Sequence, residues 1–210
     1  MRTRRLASVT LTCVAPLAAA LLAAAAPVCA QSSYSADLPA VRRLYVDRDA
    51  GRAAHTLSLA SAYGRQEMGR SRDENVALRL MDTESRLDKL VARLRAKDDV
   101  ALATLDSTFA QTDRLLAEHH WRLASWGLTV PKEIARRTVG DDIGAAAKFF
   151  AQSFRFTGRE PDASTALVID EARRVADTIL ATDVLPKATR KVMEALGRRI
   201  VPPAVVATLP

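Results

Sequence analysis

The chain has 210 residues, of which 49% are hydrophobic and 26% are charged, and its formal net charge is +7. This length is sufficient for one domain with a substantial apolar core. Acidic residues are interspersed with the basic ones and no basic patch is interleaved with aromatic residues, which argues against nucleic-acid binding.

The first thirty residues have the pattern of a signal peptide. Three arginines lie within the first five residues, an alanine-rich apolar run covers Leu6 to Val28, and Val28 to Ala30 provides small residues for a signal peptidase. We predict cleavage after Ala30, which removes the three arginines and lowers the formal charge from +7 to +4. Residues 31–200 are then expected to form a single helical-bundle domain, followed by a proline-containing tail at 201–210.

Other interpretations of this N-terminal segment are a membrane anchor, a lipidation site at Cys29 and a twin-arginine signal at Arg4-Arg5. Pro16 and Pro27 interrupt the apolar run, which favours a cleaved signal over an anchor. Cleavage also removes both cysteines, Cys13 and Cys29, so the remaining chain has no disulfide. The sequence therefore predicts a periplasmic or secreted protein with no stable membrane span after cleavage.

A first helix is predicted from near Pro39 to Met68. Small and apolar residues recur along it at spacings of three and four, which is typical of one buried helical face. Gly69 is expected to end this helix. Ser71 to Glu74 has the pattern of a capping box, with Ser71 as the N-cap of a second helix.

The stretch from Ser71 to Trp126 contains neither Gly nor Pro. Two apolar stripes of helical period cross it, but Leu94 and Leu102 are eight residues apart and break the phase between them. We therefore predict a helical hairpin that turns near Lys97 to Asp99, with Asp98 or Asp99 as the next N-cap, rather than one long helix. The stripes are Val76, Leu80, Thr83, Leu87, Leu90, Leu94 and Leu102, Leu105, Phe109, Thr112, Leu116, His119, Leu123, Trp126.

Beyond this hairpin, Gly127 is expected to cap the helix and Pro131 to open a short helical piece. Val139 to Asp142 is interpreted as a break, with one of its aspartates as an N-cap. Three further helices are predicted, over 143–154, from Asp162 or Ser164 to 181, and over 187–200. No strand pattern is present, so the fold class is all-α: an antiparallel helical bundle with three or four long helices plus shorter packed helices.

Leu87 to Pro131 combines a leucine-rich helix, a short acidic turn, a long helix and a Gly-x-Thr-x-Pro exit at 127–131. It resembles an exported bacterial family of unknown function with ferritin-like helical bundles, and Lys187 to Leu196 is similar to the last helix of that family. The family tends to carry an acidic–histidine pair about where this chain has Thr112-Asp113. Because the histidine is absent here, no metal-binding role transfers to this chain. The resemblance implies a bundle and an envelope location, and it implies no activity.

His119, His120 and Trp121 form the most chemically distinctive segment. Inward histidines of a bundle can hold haem or a metal. Adjacent histidines on a helix point about 100° apart and cannot readily chelate one ion. The chain also lacks the Glu-x-x-His and Cys-x-x-Cys-His signatures. The structural interpretation is that His119 hydrogen-bonds a neighbouring helix, and the sequence predicts neither a metal site nor a cofactor.

The aromatic residues cluster in the second half of the chain, where they could line a pocket or fill the core at one end of the bundle. Adjacent aspartates at 98–99 and 141–142 are interpreted as helix caps, and paired arginines as a solvated face. The candidate ligand-binding residues are His119, Trp121, Trp126, Phe149 and Phe150.

Together these features predict a non-enzymatic, exported helical bundle that binds another protein or an envelope component. The alternative is a bundle that binds a small apolar ligand or haem near His119 and Trp126. The sequence contains no catalytic motif that would favour an enzyme.

Overall fold

The computed structural model describes residues 34–130 and 136–201, so the predicted signal peptide and most of the predicted tail lie outside the described residues. The described residues form seven helices and no strand, which confirms the all-α class. None of the helices in these two ranges is long and apolar enough to cross a bilayer. The helices are α1 Tyr34–Val46, α2 Ala50–Arg70, α3 Glu74–Arg95, α4 Leu102–Gly127, α5 Arg136–Phe156, α6 Ala163–Thr182 and α7 Thr189–Ile200.

Helix α4 lies at the centre of the packing, with its largest interface against α5. The two helices are antiparallel: Phe109 near the start of α4 meets Phe156 at the end of α5, and His120 near the end of α4 meets Asp142 near the start of α5. Helices α1, α2 and α3 pack in succession, as do α5, α6 and α7. The core is mainly leucine, alanine, valine and phenylalanine.

The hairpin turn predicted near Lys97 is confirmed, because α3 ends at Arg95 and α4 begins at Leu102. Lys97 adopts the left-handed conformation, with φ of 59°. The prediction of an aspartate N-cap here is wrong: Ala101 occupies the N-cap position without a side-chain hydrogen bond. Tyr45 of α1 instead satisfies the backbone groups of Val100. Its hydroxyl donates to Val100 O at 2.6 Å and accepts from Val100 N at 2.8 Å.

The prediction of one continuous helix from Pro39 to Met68 is also wrong. The helix breaks after Val46, where Arg48 takes a left-handed φ of 61°. Asp49 then caps α2 by accepting a hydrogen bond from Arg52 N at 3.1 Å. The apolar spacing conceals this break, because Val46, Ala50 and Ala53 keep the helical period across it.

Two predicted caps are displaced. Asp73, not Ser71, caps α3 by accepting hydrogen bonds from Asn75 N and Val76 N at 3.0 and 3.2 Å, and Ser71 lies at the end of α2. Gly127 is the last residue of α4, and the C-cap is Leu128 in right-handed conformation. The predicted cap at Asp162 is confirmed by its hydrogen bond from Thr165 N at 2.9 Å.

The predicted break at Val139 to Asp142 does not exist, since α5 is continuous from Arg136 to Phe156. Gly140 within this stretch serves close packing, because a Cβ there would lie 3.0 Å from Ile179 Cγ2 of α6. Asp142 is buried in the core and caps nothing at its position inside the helix.

Helix α7 docks on α4 through Trp121. The indole Nε1 donates to Met193 O at 2.8 Å, and the ring lies directly over Gly197. A Cβ at position 197 would overlap the indole ring. The close approach of α7 to α4 therefore requires glycine at this position.

We expect Gly197→Ala to destabilise the protein by about 1–3 kcal/mol, because the added methyl group overpacks the contact with Trp121. Gly64→Ala is the matched control, since Gly64 also lies inside a helix and a Cβ there meets nothing within 4 Å. That change should stabilise the protein by up to about 1 kcal/mol. Denaturant unfolding measures both, and equal effects would contradict the packing assigned to Trp121.

Candidate functional site

A cluster of polar side chains lies inside the bundle and joins three helices. Its histidines and carboxylates are almost completely buried: Glu67 is 0% exposed, His119 1%, His120 2% and Asp142 3%. Such groups are rarely buried unless they are paired. We call this cluster the core polar network, and its members are Tyr63, Glu67 and Arg70 of α2, His119 and His120 of α4, and Asp142 of α5.

Glu67 links α2 to α4. Its Oε2 lies 3.1 Å from His119 Nε2. Arg70, one turn further along α2, donates from Nη1 to both Glu67 oxygens at 3.0 and 2.8 Å. The buried carboxylate is thus satisfied by a guanidinium and an imidazole, the pairing that a fully buried acid requires.

His120 links α4 to α5. Its Nδ1 lies 2.8 Å from Asp142 Oδ1, and its Nε2 lies 3.3 Å from the Tyr63 hydroxyl. The ring of Phe149 stacks on the imidazole, with centroids 5.6 Å apart and an interplanar angle of 12°. Arg70 closes the network by donating from Nη2 to Asp142 Oδ1 at 3.2 Å.

Burial and pairing set the ionisation states in this network. Burial acts to raise the pKa of Glu67, but the hydrogen bond from His119 and the charges beside it outweigh burial and lower that pKa. Burial lowers the pKa of His119, so its imidazole is neutral at pH 7. Because ionised Glu67 can only accept, the His119 proton resides on Nε2. Burial also raises the pKa of Tyr63, which keeps its phenol protonated.

The chemistry available to this network is limited. Tyr63, His120 and Asp142 are connected in the order of a nucleophile, a base and an orienting carboxylate. The phenol, however, is only 8% exposed and its pKa is raised. Within residues 34–130 and 136–201, no three histidine, cysteine or carboxylate side chains are arranged to hold a metal ion. The arrangement instead fixes three helices against one another.

Asp113 is a further buried acid. It is 1% exposed, and neither carboxyl oxygen has a hydrogen-bond partner in the described part of the chain. Burial raises the pKa of this carboxyl group well above its ordinary value and favours its protonated form. This residue lowers the stability of the folded state, because the unfolded chain can ionise it freely.

The candidate ligand-binding residues lie in different environments. His119 belongs to the core polar network through Nε2, so it hydrogen-bonds a neighbouring helix as its structural interpretation predicts. Phe149 and Phe150 are core residues, 3% and 2% exposed. Trp121 is half-buried against α7, whereas Trp126 is 46% exposed and carries the Arg72 guanidinium 4.8 Å from its ring centroid.

His119 and Trp121 do meet at an open cavity of about 260 Å³. The cavity lies where the α2–α3 connection faces the last turns of α4. We call it the end cavity; its lining includes Ser71, Arg72, Asp73, His119, Trp121 and Arg122. His119 therefore belongs both to the core polar network and to the lining of the end cavity.

Sequence reasoning missed the other members of the network. Tyr63, Glu67 and Arg70 follow one another at spacings of four and three, which places them on one face of α2. A carboxylate on a helical face otherwise made of small apolar residues could have indicated a buried pair. The role of Asp142 could not be recognised because the sequence Gly140-Asp141-Asp142 has the pattern of a helix break followed by an N-cap.

Comparison with protein-family models, with curated proteins and with solved structures finds no match for this chain.

We expect Glu67→Gln to destabilise the protein by about 3 kcal/mol, because it removes the buried negative charge that Arg70 and His119 both bind. Asp82→Asn is the matched control, since Asp82 pairs with Arg86 at 2.6 Å on the exposed face of α3. It should cost no more than about 0.5 kcal/mol. Unfolding in guanidinium chloride compares the two, and similar losses would argue against a buried role for Glu67.

We expect the Asp113→Asn variant to gain stability over the wild-type chain, and we expect this gain to be larger at pH 7 than at pH 4. The folded-state pKa of Asp113 is raised, so its contribution to stability is largest below the unfolded-state pKa of about 3.8 and falls as pH rises from there. Asparagine removes this loss, which has a slope of at most about 1.4 kcal/mol per pH unit. Denaturant unfolding at several pH values measures the difference, and a pH-independent difference would contradict a protonated Asp113.

Proposed function

We propose that the protein is exported and non-enzymatic, and that it works by binding another protein or a component of the cell envelope at the end of the bundle that carries Trp126. The export pattern of residues 1–30 supports the location. The resemblance of Leu87 to Pro131 to an exported family of helical bundles supports the same location.

The observation that carries this proposal is the contrast between the buried core polar network and the exposed side chains at the end of the bundle that carries Trp126. The histidines and carboxylates of the core polar network are bound to one another and are at most 3% exposed, so they are poorly placed to react with a substrate. At the open end, Trp126 is 46% exposed and stacks with Arg72. Tryptophan and arginine are the side chains most enriched at the energetic centres of protein interfaces.

The geometry gives little support to the alternative, an apolar ligand or haem near His119. The His119 Nε2 atom is held by Glu67, and Phe149 and Phe150 are packed in the core. The end cavity, at about 260 Å³, is below the usual range for drug-sized ligands. Its lining also includes the charged side chains of Arg72, Asp73 and Arg122, which an apolar ligand would leave without a polar partner.

Site-specific photo-crosslinking in living cells tests the proposal. A photoreactive phenylalanine analogue replaces Trp126 in one variant and Leu167, which is 67% exposed on α6, in the control. We expect processed protein beginning at Gln31 in the envelope or secreted fraction, and an adduct of higher mass from position 126 only. Intact protein retained in the cytoplasm, or equal crosslinking from both positions, would contradict the proposal.

A further inference from the structure

The end cavity combines a positively charged rim with an uncharged hydrogen-bond acceptor at its floor. Arg72 has no carboxylate partner within ion-pair distance in residues 34–130 and 136–201. Arg122 is shared between Asp73 at 2.7 Å and Glu118 at 2.9 Å, and Arg79 adds a second guanidinium to Glu118 at 2.8 Å.

The guanidiniums of Arg79 and Arg122 are therefore matched by the carboxylates of Asp73 and Glu118, and Arg72 is left to attract an anion at the rim. The core polar network below the floor has two carboxylates and one guanidinium. An anion entering the cavity is consequently attracted to the rim and not to the floor.

His119 forms the floor. Its Nε2 proton is directed to Glu67, and its Nδ1 has no hydrogen-bond partner among the described residues. A neutral imidazole in this tautomer offers Nδ1 as an acceptor, and its natural partner is a hydroxyl group. The residue is 1% exposed and lines the cavity, so its imidazole is part of the cavity wall and is not a solvated surface group.

The remaining lining sets the size and shape of the ligand. Trp121 contributes part of a half-buried indole, whose ring also packs over Gly197 and lies 6.0 Å from the Arg122 guanidinium carbon. Asp73 and Ser71 add polar oxygens nearby. A volume of about 260 Å³ suits a ligand of monosaccharide size.

From this geometry we infer that the end cavity binds a small hydroxylated anion, such as a sugar acid or a sugar phosphate. Its carboxylate or phosphate is held by Arg72 at the rim, and one of its hydroxyl groups donates to His119 Nδ1 at the floor. The inference deepens the proposed function and rests on it in taking this end of the bundle as the binding end; it names the chemistry of the envelope component that would be recognised there.

Binding of four probes to the purified protein, measured by isothermal titration calorimetry, tests this inference. Glucose 6-phosphate and glucuronate represent the two anionic sources, glucose lacks the anion, and inorganic phosphate lacks the hydroxylated ring. We expect at least one sugar anion to bind at least about tenfold more tightly than glucose and inorganic phosphate, as expected for the loss of one charge-assisted hydrogen bond.

Arg72→Ala should weaken sugar-anion binding about tenfold or more without affecting folding, because Arg72 is exposed. Arg86→Ala is the matched control, since Arg86 is an exposed arginine of α3 that pairs with Asp82 and does not line the cavity. It should leave the affinity unchanged. Failure of both sugar anions to bind, binding of glucose or phosphate as tight as theirs, or equal effects of the two arginine variants would overturn the inference.

The outcomes also separate this inference from the proposed function. A protein that crosslinks an envelope component through position 126 but binds neither sugar anion retains the function and loses the inferred ligand. A protein that binds a sugar anion but stays in the cytoplasm retains the ligand site and loses the proposed export.

Discussion

Burial of an ionised carboxylate inside a helical bundle is unfavourable by several kcal/mol unless nearby groups replace the lost water. Glu67, with no exposed surface, meets this requirement through Arg70 on its own helix and His119 on α4. His120 and Asp142 extend the same arrangement to α5. The positions of α2, α4 and α5 are therefore constrained by hydrogen-bond geometry as well as by apolar packing.

This constraint has consequences at the end of the bundle. Apolar side chains can slide past one another at modest cost, but a buried carboxylate and imidazole that lose their partner are left unsatisfied. The network thus specifies one register for α4 relative to α2. That register brings His119 to the floor of the end cavity and places Trp126 beside Arg72 at the surface. The same interactions that stabilise the core therefore also position the surface to which we assign binding.

The fold class and the central hairpin could be predicted from sequence because they depend on local signals. The phase shift between Leu94 and Leu102 reports the turn directly, since a continuous helix would keep one stripe in register. The break at Arg48 could not be predicted in this way, because the apolar spacing of three and four continues from Val46 to Ala50 and Ala53 across it. Left-handed arginine is uncommon, and nothing in the local sequence indicates it.

The candidate site was predictable only in part, and for a different reason. His119 is recognisable because it lies on the apolar stripe of α4. Its partner Glu67 is 52 residues away in sequence, and Asp142 is recognisable only once α5 is known to pass uninterrupted through Gly140. Long-range pairing of this kind leaves no periodic signal in a single sequence. The same is true of Asp113, whose lack of a partner is a property of the packed core.

The buried interaction between Glu67 and His119 couples α2 to α4. A double-mutant cycle with Glu67→Gln, His119→Gln and the combined variant measures this coupling through the free energy of unfolding. We expect the two single changes to be non-additive by more than about 1 kcal/mol, because each leaves the same interaction broken. Additivity within about 0.5 kcal/mol would contradict it.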